Sequence, residues 1–195
     1  MAGWTGRAAI AHDPFLYSPR ILDNEIDVTS LALGASGLVT PKVRVETNAG
    51  YGDFSDGNTR LSADAGAWYV FSWPKRSLLT GVVVRYLGFT DDLDHGYFDP
   101  SNWIAALISV RSDGSIGASR WTYEAAVEAG GQWFTLHDVQ TSHEPLWNLS
   151  GMVSCPLPHG LSLQFFAAFG NSSAASGPGF TYRSGGLRLR YTIGG

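Results

Sequence analysis

The sequence has little of several features that define common protein classes. It contains a single cysteine, Cys155, which excludes an internal disulfide and is expected to serve as a small apolar side chain on a strand. Charged residues make up only 15% of the chain, and there is no polybasic run, so nothing indicates nucleic-acid binding. No stretch approaches the ~18 consecutive apolar residues that a transmembrane helix requires.

Glycine and aromatic residues are abundant instead. The 195 residues include 24 Gly, 7 Trp, 8 Tyr and 10 Phe, and the net charge is only -4. Glycine and aromatic residues are weak helix formers, and aromatic residues favour strands. The composition therefore favours β-structure over helix.

Side chains alternate in character along residues 120–134. The odd positions are apolar or small, with aromatic residues at both ends: Trp121, Tyr123, Ala125, Val127, Ala129, Gly131 and Trp133. The even positions are mostly polar, charged or small: Arg120, Thr122, Glu124, Ala126, Glu128, Gly130 and Gln132. A period of two is typical of a β-strand with one apolar and one polar face.

The distance between the aromatic residues of this segment matches the thickness of a membrane's apolar layer. Tyr123 and Trp133 are ten positions apart, which corresponds to roughly 33 Å along a strand. With a tilt of ~40° the strand covers about 25 Å of height, the apolar band between the two aromatic girdles of an outer-membrane barrel. Strands of soluble proteins are typically only ~5–6 residues long.

The same pattern recurs along the chain. It is clear in residues 42–54, 60–73, 145–157, 161–169 and 187–193, and it is blurred in residues 77–89 and 102–112. Residues 6–13 and 24–35 predict two further strands. We therefore predict an all-β fold, an antiparallel up-and-down transmembrane β-barrel over residues 1–195 as a single domain. With 8–10 strands it is either complete or part of a larger barrel.

The predicted connections alternate in length. Short ones with turn chemistry are expected at residues 74–76, 112–115 and 158–160, and longer ones at 55–59, 90–101, 136–144 and 171–179. Short periplasmic turns and long extracellular loops are the arrangement of bacterial outer-membrane barrels, which predicts that localisation. Residues 1–7 do not have the pattern of a signal peptide, so we expect a processed or C-terminal portion of a longer protein.

The two faces of the strands imply different surroundings. The apolar face would contact outer-membrane lipid, with these aromatic residues at the membrane interfaces: Tyr69, Phe71, Trp73, Trp121, Tyr123, Trp133 and Trp147. The polar face would line the lumen, with these candidates: Arg44, Glu46, Arg60, Asp64, Arg120, Glu124, Glu128, Gln132, Arg188 and Arg190. Charges of both signs predict either a salt-bridged filling of a narrow barrel or a hydrated pore, and strand number decides between them.

Two motifs beside loops resemble a known family. Residues 53–60 read Asp-Phe-Ser-Asp-Gly-Asn-Thr-Arg, and residues 96–100 read Gly-Tyr-Phe-Asp-Pro ahead of a strand at Trp103. Together they resemble the C-terminal barrel of bacterial exopolysaccharide-export outer-membrane proteins, with the poly-N-acetylglucosamine export porin nearest and the cellulose exporter subunit a relative. The resemblance is best over residues 40–112. It implies passage of a secreted polysaccharide and contact with periplasmic export machinery.

The resemblance also implies a sixteen-strand barrel that follows a helical tetratricopeptide-repeat region. This chain has no helical repeat, and it is too short for sixteen strands of this length. A truncated barrel or a smaller relative is therefore expected. The function predicted is porin-like passage of a polysaccharide or another hydrophilic solute, with no cofactor and no chemistry.

Other functions have weaker support in the sequence. Residues 90–95 are rich in the oxygen ligands that Ca²⁺ prefers, but they do not match the EF-hand pattern, and an acidic extracellular loop is favoured over a metal site. His137 and His143 flank Ser142, which suggests an outer-membrane lipid hydrolase, yet no Gly-x-Ser-x-Gly elbow is present and no catalytic residue is predicted. A soluble β-sandwich that binds carbohydrate is the third alternative, and strands of about 13 residues argue against it.

Overall fold

The computed structural model describes residues 3–15, 25–93, 95, 97–137, 141–172 and 181–191. These residues form ten β-strands: β1 (Trp4–Pro14), β2 (Asp27–Thr40), β3 (Val43–Phe54), β4 (Thr59–Trp73), β5 (Arg76–Phe89), β6 (Asn102–Ser115), β7 (Thr122–Thr135), β8 (Ser142–Pro156), β9 (Leu161–Gly170) and β10 (Tyr182–Tyr191). Within the described ranges there is no helix long and apolar enough to cross a membrane.

Each strand pairs antiparallel with the next one along the chain. All ten strands lie in one sheet, and their spatial order is their sequence order. The predicted all-β, antiparallel, up-and-down fold is confirmed, including the two upstream strands β1 and β2. Among the described residues β1 and β10 do not pair with each other, so the sheet is open and has two edges.

The strand register assigns every side chain to one of two faces. Paired residues of neighbouring strands point to the same side, so Glu46, Gly66, Val83 and Leu107 share one face, which we name the inner face. Arg111 on β6 reaches Glu46 on β3 at 3.4 Å, although these strands are about 14 Å apart along the sheet. The sheet therefore curves toward the inner face, as the wall of a barrel does. The opposite side is the outer face.

The alternation is blurred in β5 and β6 because both of their faces are apolar. On the inner face, Val83 and Leu107 belong to a buried group that we name the inner cluster: Trp68, Val83, Phe98, Trp103, Ala105, Leu107, Phe134 and Leu146. On the outer face, Val82 is 58% exposed and Ile108 is 65% exposed. A strand that is apolar on both sides shows no period of two, so the sequence could not separate its faces.

Two local predictions differ from the structure, and a third cannot be compared to its end. Residues 112–115 form the end of β6 and not a turn, because Gly114 pairs with both Arg76 and Tyr123. The connection is instead formed by residues 116–121, where Gly117 adopts a φ of +62°. The connection after β3 is only residues 55–58 and not a long loop. The last strand ends at Tyr191 in the described residues, and positions 192 and 193 lie outside them.

Candidate functional site on the inner face of the sheet

Most of the predicted lumen residues share the inner face. The strand register brings nine of them to this side: Arg44, Glu46, Arg60, Asp64, Glu124, Glu128, Gln132, Arg188 and Arg190. Arg120 is the exception, because it lies in the 116–121 connection and is exposed, outside the strand ladder. The inner face is therefore a surface of mixed charge that runs along the whole sheet.

A pair of ions is held tightly near the middle of this surface. The Arg85 guanidinium donates to both carboxylate oxygens of Glu128, at 2.9 and 2.8 Å. Asn148 donates to the same carboxylate at 3.3 Å, and Arg111 lies 3.8 Å from it. The Glu128 side chain is only 9% exposed, so this carboxylate depends on its partners for stabilisation.

A looser set of ion pairs continues across β3. Glu46 lies 2.8 Å from the guanidinium of Arg44 and 3.4 Å from that of Arg111. Farther toward β1, Asn48 donates to Asp64 at 2.8 Å and accepts a short hydrogen bond from Arg7. Carboxylates and guanidinium groups thus alternate over the inner face, so it offers both hydrogen-bond donors and acceptors.

Sequence reasoning missed several members of this surface. Arg85 and Arg111 were overlooked because they lie in the two strands whose alternation is blurred. Trp68 was overlooked because its neighbours Tyr69 and Phe71 on the outer face dominate the pattern of β4. The parity of position 68 relative to Asp64 would have revealed Trp68 as an inner residue.

A buried polar residue joins the inner face to the long loops. Gln132 is completely buried, and its amide oxygen accepts a hydrogen bond from Trp103 Nε1 at 3.1 Å. Its amide nitrogen donates to Glu144 at 3.2 Å and to the carbonyl of Asn171 at 3.3 Å. These bonds fix β6, β7, β8 and the start of the last loop relative to one another.

The loop between β5 and β6 packs against the inner side of the sheet. Phe98 belongs to the inner cluster and makes an edge contact with Phe134, with ring centroids 5.6 Å apart. Tyr97 packs into a second cluster with Phe54 and Phe89, at centroid distances of 5.7 and 5.5 Å. The loop therefore occupies part of the inner side at the end of the sheet where the long loops lie.

The turn at residues 55–58 anchors this loop. Asn58 is fully buried and donates to the Asp91 carbonyl at 2.8 Å and to the Tyr97 hydroxyl oxygen at 3.0 Å. Asp56 accepts from the Tyr97 hydroxyl at 3.0 Å and lies 2.9 Å from His95 Nδ1. The motif that suggested the family resemblance thus has a structural role, which is to hold the loop over the sheet.

The negative charge of Asp56 strengthens the hydrogen bonds that anchor the loop. Burial alone would raise the pKa of Asp56, but hydrogen bonds from His95, the Asn58 N–H and Tyr97 outweigh it and hold the pKa below its usual value. Burial raises the pKa of Asp99 and that of Tyr97. Because the folded-state pKa of Asp56 is lowered, its stabilisation is present above the unfolded value of about 3.9 and is lost as the pH falls through the folded value.

We expect Asp56→Asn to loosen the loop. The amide of Asp91, which donates to Asn58, should lose about tenfold in hydrogen-exchange protection because the turn loses its charged acceptor. In the wild-type protein the same protection should fall as the pH drops below the unfolded value of about 3.9 and through the lowered folded value. Asp53→Asn is the control, since Asp53 is exposed on β3. Equal loss of protection in both variants would contradict the anchoring role of Asp56.

The outer face is apolar and carries the predicted interface aromatics. Tyr69, Phe71 and Trp73 follow one another on this face of β4, with ring centroids 4.8 and 6.4 Å apart. Tyr123 lies on the same face of β7, and Trp121 stacks on Phe165 from the connection that precedes β7. These five lie near the end of the sheet with the shorter connections.

Other aromatic residues lie toward the opposite end of the outer face. Trp133 near the end of β7 stacks on His143 with 5.1 Å between ring centroids, and Tyr51 near the end of β3 is 48% exposed. Trp147 is 43% exposed but lies at mid-strand, in the same row of the sheet as Val82 and Ile108. Aromatic residues thus occur toward both ends of the strands. Between them the outer face has exposed aliphatic side chains such as Val82, Ile108 and Val127.

The alternative sites are not assembled in the described residues. Ser142 and His143 are consecutive on β8, so their side chains point to opposite faces. Within the described ranges no group of three or more His, Cys, Asp and Glu residues could hold a metal ion. Asp94, in the acidic segment of residues 90–95, and Asp138, between His137 and Ser142, lie outside those ranges. The single ten-stranded sheet also differs from a sandwich, which needs two packed sheets.

Two cavities open onto the inner face on either side of Arg111. The first has a volume of about 640 Å³, and its charged lining consists of Arg44, Glu46, Arg111, Asp113 and Glu124. The second has a volume of about 360 Å³ and is lined by Arg85, Arg111, Glu128, Asn148 and Tyr182, among others. Both cavities present paired charges and amide or hydroxyl groups, and Arg111 stands between them.

Comparison with known proteins gives similarity in structure and none in sequence. No family model matches the chain, and no curated protein matches it. A solved structure described as "Bacterial polysaccharide outer membrane secretin" superposes with a TM-score of 0.69 at 13% sequence identity. The superposition covers 95% of this chain but 63% of that one, so this chain spans less than two thirds of its length. At this identity the similarity establishes the fold.

Proposed function

We propose that this chain forms the wall of a bacterial outer-membrane barrel that lets a polysaccharide pass. The observation that carries the proposal is the separation of the sheet into two faces: an apolar outer face with aromatic residues toward both ends, and a charged inner face. The structural similarity to a polysaccharide secretin supports the same interpretation. On this proposal the outer face contacts lipid, and the predicted aromatics lie at the membrane interfaces.

The two edge strands of the sheet must be paired if the protein spans a membrane. Unpaired backbone groups of β1 and β10 would cost several kcal/mol each in hydrocarbon, so the edges must pair with one another or with further strands. The chain spans less than two thirds of the similar structure, which is compatible with either arrangement. Contact with periplasmic export machinery belongs to this proposal as well.

The inner face would bind a passing sugar by transient hydrogen bonds and would not catalyse a reaction. Sugar hydroxyls both donate and accept, and the alternating guanidinium and carboxylate groups of Arg44, Glu46, Arg85 and Glu128 offer both partners. Because the charges are paired, a neutral polymer meets no strong field and is not trapped by it. No covalent step and no cofactor is needed for such passage.

Planar-bilayer recordings test the proposal. The refolded protein is expected to migrate faster in a gel when unboiled than when boiled, and to conduct ions across a bilayer. Neutral oligosaccharides should reduce that current in a concentration-dependent way, and glycerol, which has hydroxyls but no sugar rings, should not. A conducting protein whose current no oligosaccharide reduces would contradict the proposed function.

A further inference from the structure

The indole of Trp68 occupies an unusual position on the inner face. A Cβ at position 66 would stand 2.1 Å from Cη2 of Trp68, so the six-membered ring fills the space that a side chain at Gly66 would need. The guanidinium carbon of Arg111 lies over the indole, 4.4 Å from the ring centroid. The aromatic ring is therefore part of the wall, and Arg111 covers it.

Two polar atoms beside this ring are buried without a hydrogen bond. Trp68 Nε1 and Ser109 Oγ have no partner among the described residues, although Trp68 is 3% exposed and Ser109 is completely buried. The two residues lie in one row of the sheet, with Gly81 between them, and all three face inward. Buried donors and acceptors without partners are rare in folded proteins, and each calls for an explanation such as a water or an ion that completes its hydrogen bonds.

Arg111 is a weakly held cover for this position. It makes single contacts with Glu46 at 3.4 Å and Glu128 at 3.8 Å, whereas Arg85 grips Glu128 through two bonds of 2.8 and 2.9 Å. The Arg111 side chain is 34% exposed and lines both inner cavities. A rotation of this side chain would uncover Trp68 and join the two cavities into one groove.

From this arrangement we propose that Trp68, covered by Arg111, is a saccharide-binding subsite. The apolar C–H face of a neutral hexopyranose replaces the guanidinium on the indole, and its hydroxyls bind the carboxylates of Glu46 and Glu128. A neutral sugar fits because the charges that line the two cavities nearly balance, with three arginines against four carboxylates. This subsite rests on the proposed function, since it places one step of polysaccharide passage on named residues.

Nuclear magnetic resonance of the refolded protein in detergent tests the subsite. Cellohexaose and maltohexaose serve as neutral probes, and Trp68→Phe assigns the Trp68 indole N–H signal. We expect this signal to shift in a saturable way as either hexaose is added. The indole signal of Trp147, which lies on the outer face, is the internal control and should not move.

Variants give the second readout. Arg111→Ala removes the competing guanidinium and is expected to tighten hexaose binding about fivefold, measured by calorimetry, whereas Trp68→Leu should weaken it about tenfold. If Trp68→Leu does not fold, the wild-type indole shift and Arg111→Ala still decide the matter. Hexaose binding with an unmoved Trp68 signal and unchanged affinity in Arg111→Ala would overturn the subsite alone. Absence of hexaose binding together with absence of current block would overturn the proposed function and the subsite with it.

Discussion

Ile108→Arg is expected to destabilise the protein in a lipid bilayer by about 2–4 kcal/mol. Ile108 lies near the middle of β6 on the outer face and is 65% exposed. If that face contacts hydrocarbon, an arginine there must lose most of its hydration or thin the bilayer locally. In a soluble protein the same change at an exposed position would alter stability by less than about 0.5 kcal/mol.

The control for this variant places the same charge on the other face. Ser150 lies near the middle of β8, faces inward and is exposed, so Ser150→Arg should change stability by less than about 1 kcal/mol. Urea unfolding in phospholipid vesicles, followed by tryptophan fluorescence, measures both variants. Equal effects of the two substitutions, or no effect of Ile108→Arg, would show that the outer face does not meet lipid.

Arg85→Ala is expected to be the most damaging single change on the inner face, with a loss of about 3–5 kcal/mol. It removes the bidentate partner of Glu128, whose side chain is only 9% exposed, and leaves a poorly solvated carboxylate behind. Arg44→Ala is the matched control. Its pair with Glu46 is more exposed, at 45% and 24%, so its loss should cost no more than about 1 kcal/mol.

A double variant separates the charge effect from lost packing. Arg85→Ala combined with Glu128→Gln removes the stranded charge and should recover at least half of the stability that Arg85→Ala loses. The free energies come from the same urea unfolding experiment. If the double variant is as unstable as Arg85→Ala, the loss arises from the missing arginine stem and not from an unpaired carboxylate.

The inner face combines a charged zone with an apolar one. The ion pairs of β3 to β7 lie beside Trp68 and Val83 of the inner cluster, and the packed residues 97–100 lie toward the long loops. On the proposed function, a polymer would leave these reversible contacts and pass the packed residues 97–100, which the turn at residues 55–58 holds in place. The acid sensitivity expected for Asp56 would then act on this region, because the turn holds the loop in place.

The sequence by itself determined the architecture, because local patterns of side chains specify the strands and their order. Period-two alternation over more than ten residues, as in β4 and β7, defines long strands and their two faces without knowledge of any partner. Turn residues between those segments then leave the antiparallel up-and-down order as the simplest connection. Arg44, Asp64 and Glu128 were assigned to one face correctly for the same reason.

Tertiary structure alone decided which of these residues meet. Arg111 contacts Glu46 across β4 and β5, and Arg85 contacts Glu128 across β6, because the sheet curves and long side chains span several strands. Such contacts depend on the curvature and the strand register of the sheet. Both are determined by the sum of many weak interactions over the whole sheet. The burial of Trp68 beneath Arg111 and the packing of Tyr97 on Phe54 have the same origin, since no local pattern encodes which distant side chain covers another.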